Sequence, residues 1–154
     1  MRLIINEWLI HDLSGDNGLM AQEESAKFLI KLAASIDQIV ILEKSPWMTK
    51  AYKLMTKTGA KERILSRLLH REILLNSEKC HRVNSSDVKP IPQNLQNLID
   101  AGQVDSDDYY LFQLYYSTNV DLIITSDIRL RDALSQINDI RIRLRNDFLK
   151  EYLA

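Results

Sequence analysis

Short apolar runs alternate along this chain with longer segments that have helical spacing. Residues 3–5, Gln38–Leu42 and residues 122–124 have the length and composition of buried strands. Between the first two runs, residues 21–36 place apolar side chains at helical spacing, with two glutamates in the first turn. A strand, a helix and a strand in this order predict a βαβ unit with a right-handed crossover and a parallel strand pair.

Further helices follow in the middle of the chain. Ser45-Pro46 is a good helix start, because serine caps helices and proline fits their first position, and it predicts a helix over 47–55. Helical spacing also predicts helices over 60–75 and 93–101. Near the end of the chain, residues 140–145 alternate isoleucine or leucine with arginine, which is typical of a half-exposed edge strand.

These elements predict an α/β fold of three layers, α/β/α, with a mostly parallel central sheet. A chain of 154 residues with 45% hydrophobic and 27% charged side chains indicates one globular domain over residues 1–154. The single cysteine, Cys80, cannot form an intramolecular disulfide and favours a reducing compartment. Because no apolar run approaches a membrane span and no signal peptide is evident, we expect a cytoplasmic protein without membrane contact.

An acidic stretch extends from residue 100 to residue 127, with six aspartates and no Lys or Arg. Asp107 and Asp108 precede an apolar run with helical spacing, a position that the unpaired N–H groups of a helix favour for carboxylates. Asp127 follows the strand over 122–124, and the carboxyl ends of strands face the crevice in which open α/β sheets bind ligands. If the helix and the strand are neighbours, their carboxylates can converge on a hard divalent cation.

A basic segment balances this acidic stretch. Eight Lys or Arg residues lie between positions 44 and 71, although the net charge of the whole chain is only −1. Such segregation of charge suits a protein that binds a phosphate backbone, while the solvated faces of two helices are the alternative explanation for each single residue. The candidate nucleic-acid contacts are Lys50, Lys53 and Arg67 in this segment and Arg129 after the acidic stretch.

An acidic residue at a helix start, followed by a strand that ends in Thr-x-Asp, resembles the carboxy-terminal half of the PIN domain, a metal-dependent nuclease fold. IRIRLRNDFL at residues 140–149 is similar to the last strand of that family and the helix start behind it, and RLIINEWLI at residues 2–10 is similar to its opening strand. The resemblance covers nearly the whole chain, through short motifs. It implies a PIN-like fold, Mg²⁺ or Mn²⁺ as cofactor, and RNA as the substrate.

The resemblance also implies which residues form the catalytic site. Asp108 and Asp127 would hold the metal, because the spacing of the family's acids fits Asp108 better than its neighbour, and Asp107 or Ser106 would cap the helix. An Asp ends the first strand in the family, whereas this chain has Asn6, whose amide oxygen carries no charge. Glu7 supplies the missing charge if the backbone turns there, and a merely polar strand end is the alternative.

A second departure from the family lies near Lys50, where PIN domains have a glutamate and this chain has no acid. The loss of one acid is compatible with a one-metal site, whereas the loss of two acids indicates a protein that keeps the fold without the catalytic activity. Three functions therefore remain open, the third of which is an interaction subunit that binds no nucleic acid. The first is a divalent-metal-dependent endoribonuclease, a hydrolase that resembles toxins of this family. Its expected partner is an antitoxin-like or other protein, or a second copy of the chain in a homo-oligomer. The second is a catalytically degraded PIN-like module that binds RNA or a protein partner.

Overall fold

The centre of the molecule is a five-stranded parallel sheet, in a computed structural model that describes all residues from Met1 to Ala154. The strands are β1 (Arg2–Ile5), β2 (Gln38–Leu42), β3 (Cys80–Val83), β4 (Leu122–Thr125) and β5 (Ile142–Leu144). Their order across the sheet is β3-β2-β1-β4-β5, and every neighbouring pair is parallel. The prediction of an α/β fold with a mostly parallel sheet is confirmed, and so is the edge position of β5.

Helices connect and surround these strands. They are α1 (Trp8–Leu13), α2 (Leu19–Ala34), α3 (Pro46–Leu54), α4 (Ala60–Arg67), α5 (Gln93–Asp100), α6 (Tyr109–Ser117), α7 (Ile128–Leu134) and α8 (Arg145–Tyr152). A π-helical segment, Leu68–Leu74, continues α4, and short 3₁₀ turns cover Ser85–Asp87 and Ser106–Asp108. None of these helices has the length and apolar character that a membrane crossing requires.

The connections distribute the helices over both faces of the sheet. The chain passes from β1 outward to β2 and β3 and then returns to β4 and β5 on the other side of β1, so right-handed crossovers place the helices that connect the strands of the two halves on opposite faces. α6 packs against β1 and β2, and α7 packs against β4 and β5. α8 packs against α2, where Phe28 contacts Phe148 and Tyr152. The arrangement is consistent with three layers.

Two elements differ from the sequence-based expectation. β1 ends at Ile5, as the apolar run over residues 3–5 predicts, but a short helix that the sequence analysis does not predict, α1, begins at Trp8. The indole Nε1 of Trp8 donates to the carbonyl oxygen of Ile124 at 3.0 Å, which anchors the start of the helix against β4. β3 was not predicted, because His81 and Arg82 interrupt its apolar pattern, and an edge strand tolerates such half-buried polar side chains.

A buried ion pair joins α1 to α8. The alternating pattern over 140–145 predicts an exposed arginine at position 145, but Arg145 is the first residue of α8 and is buried. Its Nε donates to Asp12 Oδ2 at 2.7 Å, and Ser25 Oγ donates to the same oxygen at 2.7 Å. Because only 1% of Asp12 is exposed, its charge depends on these partners for stabilisation.

We expect Arg145→Leu to lower the free energy of unfolding by about 3 to 5 kcal/mol, because the buried charge of Asp12 then lacks its cation. Urea unfolding monitored by circular dichroism measures this loss. Arg143→Leu is the matched control, since Arg143 pairs with the exposed Glu151 at 2.9 Å and such surface pairs contribute little. Similar losses in the two variants would contradict the special role of the buried pair.

Candidate functional site

The candidate residues lie at the carboxyl edge of the sheet, where β1 and β4 are neighbours. The strand order reverses at this point, and such reversals open the crevice in which α/β sheets bind ligands. Asn6 and Glu7 directly follow β1, and Asp127 follows β4. The backbone N–H of Asn6 donates to the carbonyl oxygen of Ile124 at 3.0 Å, which extends the ladder between the two strands. The fold thus brings the ends of these two strands together.

Asp127 is held in place by the start of α7. Its Oδ1 accepts hydrogen bonds from the backbone N–H groups of Arg129 at 2.9 Å and Leu130 at 3.2 Å, which makes it the cap of that helix. Its own N–H donates to Thr125 Oγ1 at 3.1 Å. The side chain therefore has a defined orientation at an exposed position.

Asp108 lies at the end of the 3₁₀ turn that precedes α6. Asp105 caps this turn by accepting the N–H of Asp107 at 2.9 Å, so the prediction that Asp107 or Ser106 is the cap is wrong. The half-buried side chain of Asp108 has no capping hydrogen bond. The pKa of Asp108 is raised to about 6, mainly by burial and secondly by the negative charge of Asp127.

Asp108 and Asp127 line one cavity of about 370 Å³. The loop over residues 102–106 forms one side of this cavity, and the first turn of α7, including Arg129, forms another. Three carboxylates, those of Asp105, Asp108 and Asp127, therefore line this space together with one guanidinium group, at the switch point of the sheet. Such a space can accept a cation, a phosphate, or both.

The backbone turns at Glu7, which has helical dihedral angles (φ −63°, ψ −10°) and precedes α1. Its carboxylate accepts a hydrogen bond from Lys50 Nζ, at 2.6 Å, and Lys50 Nζ also lies 3.4 Å from His11 Nε2. The charge of Glu7 contributes to the raised pKa of Asp108, although burial and the charges of Asp127 and Asp105 contribute more. Glu7 is therefore close to the acidic pair, but its partner is a lysine.

Asn6 links the ends of β1 and β4. Its Oδ1 accepts the backbone N–H of Glu7 at 2.7 Å, and its Nδ2 donates to Thr125 Oγ1 at 3.2 Å. Both polar ends of the side chain thus have partners within the protein. In this arrangement Asn6 orders the neighbouring backbone.

The structure contains no group of three or more His, Cys, Asp or Glu side chains arranged to hold a metal ion. Glu7, Asp108 and Asp127 therefore form a loose acidic group and not a closed three-carboxylate centre. The best donor set is the pair Asp108 and Asp127, which share a cavity, since Asp105, which also lines it, is engaged with the N–H of Asp107. Mg²⁺ keeps several waters and is commonly bound through one or two carboxylates together with substrate phosphates, so this pair fits such an ion.

The four candidate nucleic-acid contacts have different surroundings. Lys53 and Arg67 are exposed on α3 and α4 and take part in none of the ion pairs. Lys50 is half-buried and paired with Glu7. Arg129 is exposed and lines the cavity of the acidic pair. Of the four, Arg129 is the one that shares a cavity with the candidate metal ligands.

Tyr110 is a site residue that the sequence pattern does not distinguish from other core tyrosines. Only 7% of it is exposed, and its hydroxyl has no hydrogen-bond partner within the protein, although buried hydroxyl groups usually have one. Burial raises the pKa of Tyr110, and the charges of Glu7 and Asp108 raise it further. The hydroxyl is therefore a buried group near the acids that has no partner within the protein.

Comparisons with protein-family models, with curated proteins and with solved structures find no match to this chain. The main features of the site are its position at the switch point, the cavity that Asp108 and Asp127 share, and the ion pair between Glu7 and Lys50.

We expect Asp108→Asn to raise the free energy of unfolding at neutral pH, by roughly 1 kcal/mol after allowance for solvent screening. In the folded protein the pKa of Asp108 is about 6, above the value of about 3.9 for an unfolded chain. The folded state therefore binds this proton more tightly, so ionisation of Asp108 costs stability as the pH rises from about 4 to about 6.

Urea unfolding in EDTA between about pH 4 and about pH 8 tests this prediction, because the variant lacks that loss of stability. The two proteins should have similar stability at the acidic end and should diverge as the pH rises. Asp107→Asn is the matched control, since Asp107 is the exposed neighbour of Asp108. Parallel profiles for wild type and Asp108→Asn would contradict the raised pKa.

Proposed function

We propose that this protein is a PIN-like, divalent-metal-dependent endoribonuclease that hydrolyses phosphodiester bonds of RNA. The observation that carries the proposal is the cavity in which Asp108 and Asp127 lie beside Arg129. Its position at the switch point of a parallel sheet supports a ligand site. The resemblance of the acidic stretch to the PIN family supports the choice of reaction.

Asp108 and Asp127 would hold one Mg²⁺ or Mn²⁺. A bound ion of this kind lowers the pKa of water and offsets the charge that develops on the scissile phosphate. Repulsion between the carboxylates, which contributes to the pKa of about 6 for Asp108, favours binding of a cation between them. The capping hydrogen bonds of Asp127 hold its carboxylate in position before any ligand arrives.

Positively charged side chains support the choice of a polyanionic substrate. Arg129 supplies a guanidinium group to the cavity, and such groups match the geometry of phosphate. The exposed Lys53 and Arg67 would contact the phosphate backbone outside the cavity. The choice of RNA over DNA, a toxin-like role and an antitoxin-like partner follow from the PIN resemblance. A cytoplasmic location is consistent with the single free thiol of Cys80.

The ion pair between Glu7 and Lys50 favours a second candidate function. The acid that follows β1 is paired with an ammonium group at 2.6 Å, and Asn6 is engaged within the protein. These contacts leave two carboxylates for a metal where the family has more. They suit a PIN-like module that binds RNA or a protein partner without cleaving it.

Cleavage of a mixed RNA pool by the purified protein is expected to require Mn²⁺ or Mg²⁺ and to fall at least about 100-fold in Asp127→Asn, because an electrostatic group at the reacting centre is lost. Asparagine caps helices about as well as aspartate, so α7 should persist, as circular dichroism can verify. Asp132→Asn is the matched control, because Asp132 lies on the same helix with its side chain 63% exposed and pairs with Arg131. This control should cleave at the wild-type rate.

The possible outcomes separate the two functions. Cleavage that persists unchanged in Asp127→Asn or in EDTA would contradict the proposed nuclease. An absence of cleavage, together with equal RNA binding by wild type and Asp127→Asn, would favour the binding module. Loss of activity in Asp127→Asn but not in Asp132→Asn would support the nuclease.

We also expect Arg129→Met to weaken RNA binding severalfold and to reduce the slope of log Kd against log salt by about one, since one phosphate contact is lost. Fluorescence anisotropy with a labelled RNA, at several salt concentrations, measures both quantities. Arg131→Met is the matched control, because Arg131 lies on the same helix but pairs with Asp132 at 2.7 Å. Equal effects of the two substitutions would indicate a diffuse positive surface and would contradict a specific role of Arg129.

A further inference from the structure

The ammonium group of Lys50 brings a positive charge to the acidic end of the sheet. It lies 2.6 Å from Glu7 Oε2, and neither side chain is fully solvated, with exposed fractions of 37% for Lys50 and 27% for Glu7. Of the three candidate carboxylates, Glu7, Asp108 and Asp127, only Glu7 forms an ion pair. The three acids are therefore not equivalent.

We propose that Lys50 is a built-in cation that keeps Glu7 out of metal coordination, so that the site holds a single divalent ion on Asp108 and Asp127. This inference rests on the proposed function, which supplies the ion. It assigns Lys50 a role in setting the number of metal ligands. The role differs from the nucleic-acid contact that its positive charge alone suggests.

Competition for the same oxygen atom is the first reason for this assignment. An ammonium group and a metal ion both seek the carboxylate of Glu7, and the short, charge-assisted hydrogen bond from Lys50 already occupies Oε2. The positive charge of Lys50 also repels a second cation that approaches Glu7. Because the pair is partly buried, solvent and salt screen these interactions less than they would at an open surface.

The position of Glu7 is the second reason. Its backbone is fixed before α1 at the end of β1, but its long side chain can rotate about its own bonds. Its neighbour Asn6 bonds to Ile124 and to Thr125 at the end of β4, so Glu7 lies at the edge of the sheet that carries Asp127. Without the charge of Lys50, Glu7 would be free to turn towards Asp108 and to serve as an additional ligand.

Calorimetric titration with Mn²⁺ alone tests this inference, with paramagnetic resonance of the free ion as a second readout. Wild type should bind one ion. Lys50→Met, which removes the charge, should bind Mn²⁺ at least about tenfold more tightly, because affinity for hard cations follows the charge of the ligand set. Lys50→Arg keeps the charge and should match wild type. Lys57→Met, at an exposed position after α3, is the control for loss of one positive charge from the protein.

Two further variants identify the carboxylate responsible. Glu7→Gln alone should bind Mn²⁺ no more tightly than wild type, since Glu7 is not a ligand while Lys50 is present and the substitution leaves the charge of Lys50 unpaired. Glu7→Gln combined with Lys50→Met should abolish the gain. Lys50→Gln, which can still donate a hydrogen bond to Glu7, is a second uncharged variant in case Lys50→Met does not fold.

Unchanged affinity in the uncharged variants, or a gain that survives Glu7→Gln, would overturn the inference. If wild type binds Mn²⁺ through Asp127 and the uncharged variants bind no more tightly, the proposed nuclease stands and the role of Lys50 is refuted. If wild type binds no Mn²⁺ but the uncharged variants do, the role of Lys50 is supported and a metal-dependent nuclease is contradicted.

Discussion

The parallel pairing of β1 with β4 is the interaction on which the candidate site depends. Leu3, Ile4 and Ile5 lie opposite Leu122, Ile123 and Ile124, and these strands are buried on both faces by the surrounding helices. A shift of register by one residue would turn the apolar side chains of one strand to the wrong faces, so the register is strongly specified. The ends of both strands therefore meet at one edge, and Asn6 contacts Thr125 there.

Electrostatic repulsion at that edge is the cost of this arrangement. Asp108 and Asp127 share a cavity, and the raised pKa of Asp108 reflects both its burial and the negative charges around it. The protein offsets part of this charge through Lys50, which pairs with Glu7, and places Arg129 in the cavity itself. The same balance of charge suits a divalent cation together with a phosphate. It therefore unites the proposed metal site and the proposed substrate.

Local patterns in the sequence predict much of the fold and part of the site. The buried strands and most helices follow from apolar periodicity, and Ser45 caps α3 as expected, by accepting the N–H of Met48. β3 escapes prediction because an edge strand carries polar side chains without a clear pattern. Arg145 also escapes it, because its alternation with apolar residues resembles an exposed strand, whereas a distant carboxylate, Asp12, draws it into the core.

The order of apolar and charged residues was therefore sufficient to indicate an α/β fold and to point to Asp127 and to the adjacent Asp107 and Asp108, because helix starts and strand ends are local features of a sequence. The choice of Asp108 over Asp107 came from the resemblance to the PIN family. Only the tertiary structure decided that Glu7 pairs with Lys50 and that the hydroxyl of Tyr110 lies buried beside the acids. These contacts join side chains from different elements. Their geometry depends on how helices pack across the sheet, and no local pattern of residues records that packing.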